Sequence, residues 1–394
     1  MSVDRNALLE MIRSEVADAM KPLRERATTY GAGVYGQSQP QGTEPGSSIA
    51  RAIRALAVGK GDPERARRWL QDKFPDDPFT RALATTPDSA GGFIIPPGYV
   101  AELIELLRPA SVVRSLNPVV LPMPNGKLTI PAVASGASAQ YIGEGENIPA
   151  TQPSFRQVEL SWKKLAALVP VSNDLIRYSN PQADIVVRDD LVAAMAMTQD
   201  AAFIRADGSN GQPKGLKFQA AHQLTASGED DLAAVTYDLN RMVYALQVSN
   251  VRFLRPGWIF SPRTNIYLRS IRDGNGNYAF RTEMESGLLL GYPFRVTSQI
   301  PENLGANGNE TEIYLADFVD VVIGDSMQLT LDVSDTAAYH NGSTIVAAFS
   351  LDQTVIRAIA EHDLGVRHPE SVAVMSGVTW GANVLNGNGE GTGE

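Results

Sequence analysis

The histidines are the first residues to examine for chemistry, because imidazole binds metals and moves protons near neutral pH. The chain has four of them, and His362 and His368 lie close together, beside Glu361 and Asp363. On one strand face, two residues at this spacing are ~20 Å apart, too far for a shared metal ion. The chain has no cysteine, which excludes thiolate ligands and disulfides and is typical of assembly in a reducing cytoplasm. The sequence therefore predicts neither a metal site nor a cofactor.

Two further patterns are candidates for an enzyme active site. The stretch from Gly208 to Gly215 resembles a phosphate-binding loop, but it follows a predicted helix and lacks the Gly-Lys-Ser/Thr ending. A Ser/His/Asp triad is compatible with the composition, although the chain has no G-x-S-x-G nucleophile elbow. A hydrolytic enzyme is therefore kept as an alternative, and the main prediction is that the protein is not an enzyme.

Basic residues near the N-terminus are candidates for contact with nucleic acid. Residues 1–84 hold 13 Lys/Arg against 11 Asp/Glu, whereas residues 85–394 hold 21 against 33, so the two parts carry charge of opposite sign. Two short helices are predicted over 49–58 and 63–74. Their arginines lie either on solvated faces or in an inner-face patch that meets nucleic acid. The candidates for that patch are Arg51, Arg54, Arg65, Arg67 and Arg68.

A long helix over 180–208 is the element around which the rest of the chain is organised. Asn180 is a suitable N-cap, and Pro181 suits the first helical position. At ~1.5 Å per residue, about 26 helical residues within this range would span roughly 39 Å, which is long for a globular protein. One of its faces is apolar at a period near 3.6, through Ile185, Val192, Met195, Ala196 and Phe203. We call this predicted element the spine.

A long β-hairpin precedes the spine. Leu128 and Ile130 begin one strand, and residues 158–162 alternate between apolar and polar in the return strand. Residues 134–154 between them are rich in Gly, Ala, Ser and Pro, with too few apolar residues to fold alone. We expect this arm to lie on a neighbouring subunit, and a disordered surface loop is the alternative. The predicted intersubunit contacts are Tyr141, Ile142, Glu144 and Glu146.

The remaining elements follow from periodicity and capping residues. Helices are predicted over 100–107, 237–249 and 262–271, the last after a Ser261 cap. Trp258 to Phe260 is a predicted buried strand, and further strands are predicted at 292–297, 313–315, 321–323, 327–333, 353–361 and 372–378. No apolar run approaches ~20 residues, so no membrane span is expected.

Several passages, in this order, resemble the major capsid protein family of tailed bacteriophages, which has the Hong Kong 97-type fold. The spine's end is the most specific, where Phe203 to Gly208 is followed by Pro213-Lys214-Gly215-Leu216. The other passages are Asp88 to Pro96, the hairpin with Tyr141 to Asn147, Ser172-Asn173-Asp174-Leu175, Ser261-Pro262-Arg263, Leu288 to Phe294, and Arg357 to Glu361 with Arg367 to Val372. The resemblance covers roughly residues 86–381.

The resemblance implies an α+β protein with the parts of that fold. Residues 1–85 would be a helical and linker segment, scaffold-like or on the inner face, and residues 86–117 the N-terminal arm. Residues 118–172 would be the extended hairpin arm, or E-loop. A peripheral domain with the spine would combine residues 173–208 and 324–369, and an axial domain with the C-terminal tail would combine residues 209–323 and 370–394.

The implied function is that of a major capsid protein of a tailed double-stranded DNA phage or prophage. Such a subunit assembles with itself into hexamers and pentamers of an icosahedral shell, in the host bacterial cytoplasm, and resides in the virion. The implied partners are a portal protein, a maturation protease or scaffold, a decoration protein, and packaged DNA through non-specific contacts, with no membrane. An encapsulin-like nanocompartment shell is the alternative within the same architecture.

Two departures from the family pattern change what we expect. Some members cross-link the hairpin to a neighbour through a Lys–Asn isopeptide bond, but here no lysine lies between Lys127 and Lys163. We therefore expect no covalent cross-linking by the hairpin. Many members also carry a longer N-terminal coiled-coil scaffold that is cleaved off. We expect residues 1–84 to stay attached, on the inner face.

Overall fold

The structure is a computed structural model that describes residues 47–75, 77–85, 93–94, 111–123, 125–135, 141, 154–174, 181–342 and 344–382. Its described helices are α1 (Ser47–Val58), α2 (Pro63–Lys73), α3 (Pro78–Thr85), α4 (Val112–Ser115), α5 (Pro181–Arg205), α6 (Leu216–Gln219), α7 (Leu232–Val248), α8 (Pro262–Ser270) and α9 (Arg281–Glu285). Two 3-10 turns cover Ala348–Leu351 and Pro369–Ser371.

The described strands form two large sheets and two separate hairpins. They are β1 (Phe93–Ile94), β2 (Val119–Pro122), β3 (Lys127–Ser135), β4 (Ser154–Ser161), β5 (Lys163–Ser172), β6 (His222–Thr225), β7 (Pro256–Phe260), β8 (Leu288–Leu289), β9 (Tyr292–Val296), β10 (Thr311–Asp317), β11 (Val321–Ser334), β12 (Ala338–Asn341), β13 (Thr344–Ala347), β14 (Gln353–Val366) and β15 (Val372–Val378). The mixture of helices and strands confirms the predicted α+β class.

The first sheet is built on two long antiparallel strands, β11 and β14. Its order is β1-β11-β14-β5, and β2 pairs with β11 in parallel. Separate strands were predicted at 321–323 and 327–333, and this division was wrong, because β11 is continuous. A register shift between Asp325 and Leu329 lets one strand pass through the polar residues that separated the two predictions.

One face of the first sheet is covered by helices from distant parts of the chain. Leu70 and Phe79 from the N-terminal helices meet Leu191 of α5 and Leu331 and Ile356 of the sheet in one buried core. Burying each such side chain contributes about 1.5–3 kcal/mol. Residues 47–85 therefore belong to the folded core of the subunit. The predicted boundary after residue 85 falls largely outside the described residues, and the domain limits stay a prediction.

The second sheet has six strands in the order β6-β15-β10-β7-β9-β8. Alternate residues point to opposite faces, so Trp258 and Phe260 face one core while Ile259 faces another. Helices α7, α8 and α9 cover the face that holds Trp258. The predicted strand at 258–260 and the Ser261 cap are confirmed, since the Ser261 side chain accepts from the Thr264 N–H.

The spine is confirmed as helix α5, whose 25 residues connect the cores of the two sheets. Its middle packs on the first sheet through Leu191 and Met195, and Phe203 and Ile204 near its end lie in a core to which both sheets contribute. The predicted cap Asn180 and the predicted helix at 100–107 lie outside the described residues. Among the described residues, no helix is long and apolar enough to cross a membrane.

Two predicted boundaries were wrong by several residues. Helix α7 begins at Leu232, five residues before its predicted start at 237, because the Asp231 side chain accepts from the Ala234 N–H and caps the helix earlier. Strand β14 continues from the predicted end at 361 to Val366, paired with β11 throughout.

Candidate intersubunit surfaces

The hairpin of β3 and β4 is paired from Lys127↔Ser161 to Ser135↔Ser154, which confirms its predicted strands. Its base packs on the first sheet through a small core of Met123, Ile130, Leu160 and Val322. Gly365 makes the close approach possible, since an added Cβ there would lie 2.7 Å from Leu160 Cδ2 and 2.9 Å from Val158 Cγ1. The hairpin is therefore seated on the sheet at a site that requires glycine.

Polar contacts fix the same base in position. The Ser161 N–H donates to Asp363 Oδ2 at 2.8 Å, and Arg156 donates to the carbonyl of Arg367. Burial raises the pKa of the Asp363 carboxyl, and hydrogen bonds from the Ser161 and Leu364 N–H groups oppose that shift. Because Asp363 serves this contact, it is not available as a partner for a metal at His362.

Toward the end of the hairpin, Tyr141 is fully exposed within the subunit. The other predicted contact residues, Ile142, Glu144 and Glu146, lie outside the described residues. Burial of a tyrosine side chain is strongly favourable, so a fully exposed Tyr141 on a seated hairpin is suited to contact another molecule.

A buried polar cluster joins the entry of β2 to the spine. Asp200 of α5 accepts from Ser111 Oγ at 2.7 Å, from the Val112 N–H at 2.7 Å and from the Val113 N–H at 3.1 Å. Burial raises the pKa of the Asp200 carboxyl, although these hydrogen bonds oppose the shift. Asp200 thereby ties the turn α4 to the spine.

Arg114 extends this cluster to the first sheet. Its guanidinium, which is almost completely buried, donates to Gln199 Oε1 at 2.9 Å and to Asp325 Oδ2 at 3.1 Å. Sequence reasoning missed Arg114, because its partners lie 85 and 211 residues away in the chain. We call Ser111, Arg114, Gln199, Asp200 and Asp325 the Arg114 cluster. It connects helix α4, the spine and β11.

The histidines do not form a site together. His362 is buried, and its ring makes an edge-to-face contact with the Phe203 ring, with 5.1 Å between the ring centres. Burial, aided by the charge of Arg114, lowers the pKa of His362 to about 3. His368 instead lies 2.9 Å from Asp320. Among the described residues, no group of three or more His, Cys, Asp or Glu side chains could hold a metal ion.

The stretch that resembled a phosphate loop is a turn after the spine. Asp207 accepts a hydrogen bond from the Ser209 N–H at 2.8 Å. This N–H is therefore already used by a carboxylate and is not free to bind a phosphate. Nearby, buried Glu312 is held by Arg205, Lys217 and Tyr314. Burial acts to raise the pKa of Glu312, but the hydrogen bonds from Lys217 and Tyr314 and the charge of Arg205 outweigh it and hold the pKa below its ordinary value.

Comparison with known proteins decides what this arrangement is. The family model described as the phage capsid family matches residues 91–377. The chain belongs to the phage capsid family. It is 36% identical over 376 residues to the major capsid protein of Klebsiella oxytoca phage phiKO2, covering 93% of this chain and 87% of that one.

More distant relatives agree with this assignment. The capsid polyprotein of Pseudomonas phage PAJU2 is 26% identical over 372 residues, and the match covers 87% of this chain and 55% of that one. The capsid of a native GTA particle has a TM-score of 0.52 at 15% identity, with 68% of this chain and 90% of that one covered. Microbacterium phage Oxtober96 gives 0.51 at 15% identity, with 67% and 90% covered. These two structures support the fold alone.

The resemblance found in the sequence is thus confirmed. As a phage major capsid protein, the chain is a structural subunit of a shell and belongs to the virion. The polar clusters described above then have a structural explanation, since each makes hydrogen bonds within the subunit and joins segments that are distant in the chain.

The five arginines predicted to meet nucleic acid all lie on helices α1 and α2. Arg51 pairs with Asp77 at 2.6 Å, Arg65 with Asp62 at 3.2 Å, and Arg67 with Glu64 at 3.2 Å. Arg54 is half-buried, and Arg68 is exposed. At least three of the five therefore have acidic partners within the same helical region, and the contact of all five with nucleic acid stays a prediction.

Exposed aromatic residues on α7 were not singled out from the sequence. Tyr237 and Tyr244 are 61% and 67% exposed. Their exposure could have been predicted from the sequence, because a spacing of seven residues places both tyrosines on one face of the helix. The opposite face carries the buried residues Val235, Leu239, Met242 and Leu246.

Proposed function

We propose that this capsid subunit assembles through hexamers and pentamers into an icosahedral shell around double-stranded DNA, in the cytoplasm of a bacterial host. The observation that carries the proposal is the hairpin of β3 and β4. Its base is fixed by packing at Gly365 and by the hydrogen bond to Asp363, while Tyr141 beyond that base has no cover within the subunit. A seated hairpin with an uncovered aromatic residue is suited to hold an adjacent subunit.

The hairpin can be tested by deleting residues 138–152 from the full chain. We expect a soluble capsomer or monomer that no longer closes shells, because the interface that extends between subunits is removed. Size-exclusion chromatography and negative-stain electron microscopy separate these products from shells. Normal-sized particles from the deletion variant would contradict the proposed role of the hairpin.

The N-terminal helices support a second part of the proposal, that residues 47–85 are retained in the mature shell. Removing them would uncover the apolar core around Leu191, Leu331 and Ile356. Arg68, which is exposed, and Arg65, which is exposed beside Asp62, are the best placed of the five arginines for non-specific contact with DNA. Intact-mass analysis of DNA-filled particles tests retention. A subunit that begins near residues 80–92 would show that the segment is cleaved off.

The remaining partners follow from the role of a shell subunit. A shell that takes up DNA needs a portal protein, and assembly needs a maturation protease or a scaffold, with a decoration protein as a further partner. The alternatives give different particles. A nanocompartment would yield shells without nucleic-acid absorbance, and an enzyme would elute as a small oligomer and form no shells.

A further inference from the structure

The second sheet has two edges that differ in chemistry. At one edge, α7 lies over β6 and β15 and buries its apolar face there. Its outer face carries Tyr237, Arg241, Tyr244 and Val248, whose spacings of four, seven and eleven residues place them along one line. Tyr237, Tyr244 and Val248 are 61%, 67% and 60% exposed. We call these four residues the α7 stripe.

Tyr237 and Arg241 of the α7 stripe hold each other in place within the subunit. The Arg241 guanidinium lies over the Tyr237 ring, 5.6 Å from its centre, and also bonds Asp238 at 3.1 Å and the Thr225 carbonyl at 3.2 Å. A tyrosine fixed by a neighbouring arginine loses little rotamer freedom on binding. Pre-ordered tyrosines of this kind are enriched among the residues that dominate binding energy at interfaces.

The opposite edge of the same sheet ends at β8, which follows α9 in the chain. The turn that leads into α9 carries Tyr278 between two arginines. The guanidinium carbons of Arg272 and Arg281 lie 4.6 Å and 4.8 Å from the centre of its ring, and Arg272 donates to the Tyr278 hydroxyl at 2.9 Å. Arg281 also pairs with Glu285 at 3.1 Å. We call Arg272, Tyr278 and Arg281 the arginine clamp.

The two edges differ in net charge. Residues 222–248 hold four acidic residues against one arginine, a net charge of −3, and Glu229, Asp230 and Asp231 of this set are all exposed. Residues 266–285, which run from α8 through the clamp to the end of α9, hold three arginines against three acidic residues, a net charge of zero. The acidic edge repels a second copy of itself, whereas the clamp edge, with Arg269 and Arg272 exposed, does not repel it, so charge favours contact between unlike edges.

Two different surfaces at opposite edges of one domain are what a head-to-tail contact requires. A two-fold contact uses one self-complementary patch, whereas a ring of five or six copies joins one patch to a different patch on the next copy. Building on the shell function above, we propose that the α7 stripe of one subunit packs against the arginine clamp of a second copy of this chain. Repetition of this contact closes a ring.

The absence of cysteine in the chain allows a direct cross-linking test. Cysteine is introduced at Tyr278 together with one position of the stripe, as Tyr237→Cys, Tyr244→Cys or Val248→Cys, and assembled particles are treated with a short bismaleimide. We expect at least one pair to give a ladder of covalent species up to pentamers and hexamers in denaturing gels. Each single variant has no second thiol at the contact and is expected to stay monomeric.

The outcomes separate the contact from the function on which it rests. Particles in which none of the three pairs cross-links would overturn the contact. Covalent dimers from Tyr244→Cys alone would overturn it too, because they would show two stripes facing each other. A wild-type chain that forms no particles would contradict the shell function itself. The variant Ile345→Cys with Tyr278→Cys is a control, since Ile345 is 70% exposed on β13, which belongs to a separate hairpin outside the second sheet, and it is expected to give no such ladder.

A charge exchange gives an independent measurement. Reversing the acidic edge with Glu229→Lys and Asp230→Lys is expected to abolish particles, because arginines then face lysines. Adding Arg272→Glu and Arg281→Glu in the same chain is expected to restore them. Circular dichroism confirms that each variant is folded. Full assembly of the first variant, or failure of the combined variant to recover while it remains folded, would count against the contact.

Discussion

The two sheets of the subunit are covered in different ways. The Trp258 face of the second sheet takes its helices from its own stretch of chain, since α7, α8 and α9 all lie between β6 and β8. The first sheet is covered by α1, α2 and α3, which precede β11 by more than 200 residues, and by the spine. The helices on that face can therefore pack through contacts that are local in the chain, although β15 joins the second sheet from far beyond β6, whereas the helices on the first sheet depend on closure of long loops. Four substitutions test how independent the two sheets are.

The largest effect is expected where the N-terminal helices meet the first sheet. Phe79 is completely buried there, so Phe79→Ala is expected to cost about 3–5 kcal/mol of unfolding free energy. Hydrogen exchange should become faster in β11 and β14 than in β10 and β15. Phe74→Ala is the control, since Phe74 is exposed and packs at the edge of Trp69, with an expected loss of roughly 1 kcal/mol. An equal loss of protection in both sheets would mean that they unfold as one unit.

The Arg114 cluster is a polar connection between helix α4, the spine and the first sheet. Arg114→Met leaves Asp325 without its guanidinium partner, and removing one member of a buried pair costs about 3–5 kcal/mol. Arg357→Met is the matched control. It breaks the exposed pair with Asp332, for which about 0–1 kcal/mol is expected. Urea unfolding of both variants makes the comparison, and equal losses would show that burial of the pair does not matter.

His362, at the contact between the spine and β14, makes stability depend on pH. Its folded pKa of about 3 lies below the ordinary value of 6.5, so the unfolded chain binds the proton more tightly. Stability is therefore full above pH 6.5 and falls as the pH drops toward 3, by roughly 3 kcal/mol at pH 4. His362→Phe should flatten this part of the curve, whereas His340→Asn, on the exposed strand β12, is the control. An unchanged slope in His362→Phe would exclude this histidine as the cause.

The smallest effect is expected at the base of the hairpin. Gly365→Ala places a methyl group against Leu160 and Val158, and such overpacking costs about 1–3 kcal/mol. We expect faster hydrogen exchange in β3 and β4 and fewer closed particles, because the added methyl group displaces the base of the hairpin from the first sheet. Gly274→Ala is the control, since nothing lies within 4 Å of an added Cβ there. Particle yields that match in the two variants would show that the seat tolerates a methyl group.

Features set by neighbouring residues could be predicted from the sequence. The spine, the Ser261 cap and the buried strand around Trp258 follow from capping and periodicity within a few residues, and the structure contains all three. The continuity of β11 could not be predicted, because its polar residues around Asp325 are accommodated by pairing with distant β14.

The candidate sites divide in the same way. The hairpin strands were predictable from alternation, but the need for glycine at Gly365 arises from Leu160, which is more than 200 residues away. The ion pairs of Arg51 and Arg67 were missed because a count of charges does not reveal which acids fold back on them. The predicted contacts at Ile142, Glu144 and Glu146 stay predictions.

The position of α1, α2 and α3 at the start of the chain has a consequence for synthesis. These helices leave the ribosome more than 200 residues before β11 and β14, whose residues they cover. At ~5–20 residues per second, the interval lasts roughly 10–50 s. During that time the apolar faces around Leu70 and Phe79 have no sheet to pack on. A subunit made in the many copies that a shell needs therefore exposes this apolar surface on every nascent chain until β11 and β14 have been synthesised.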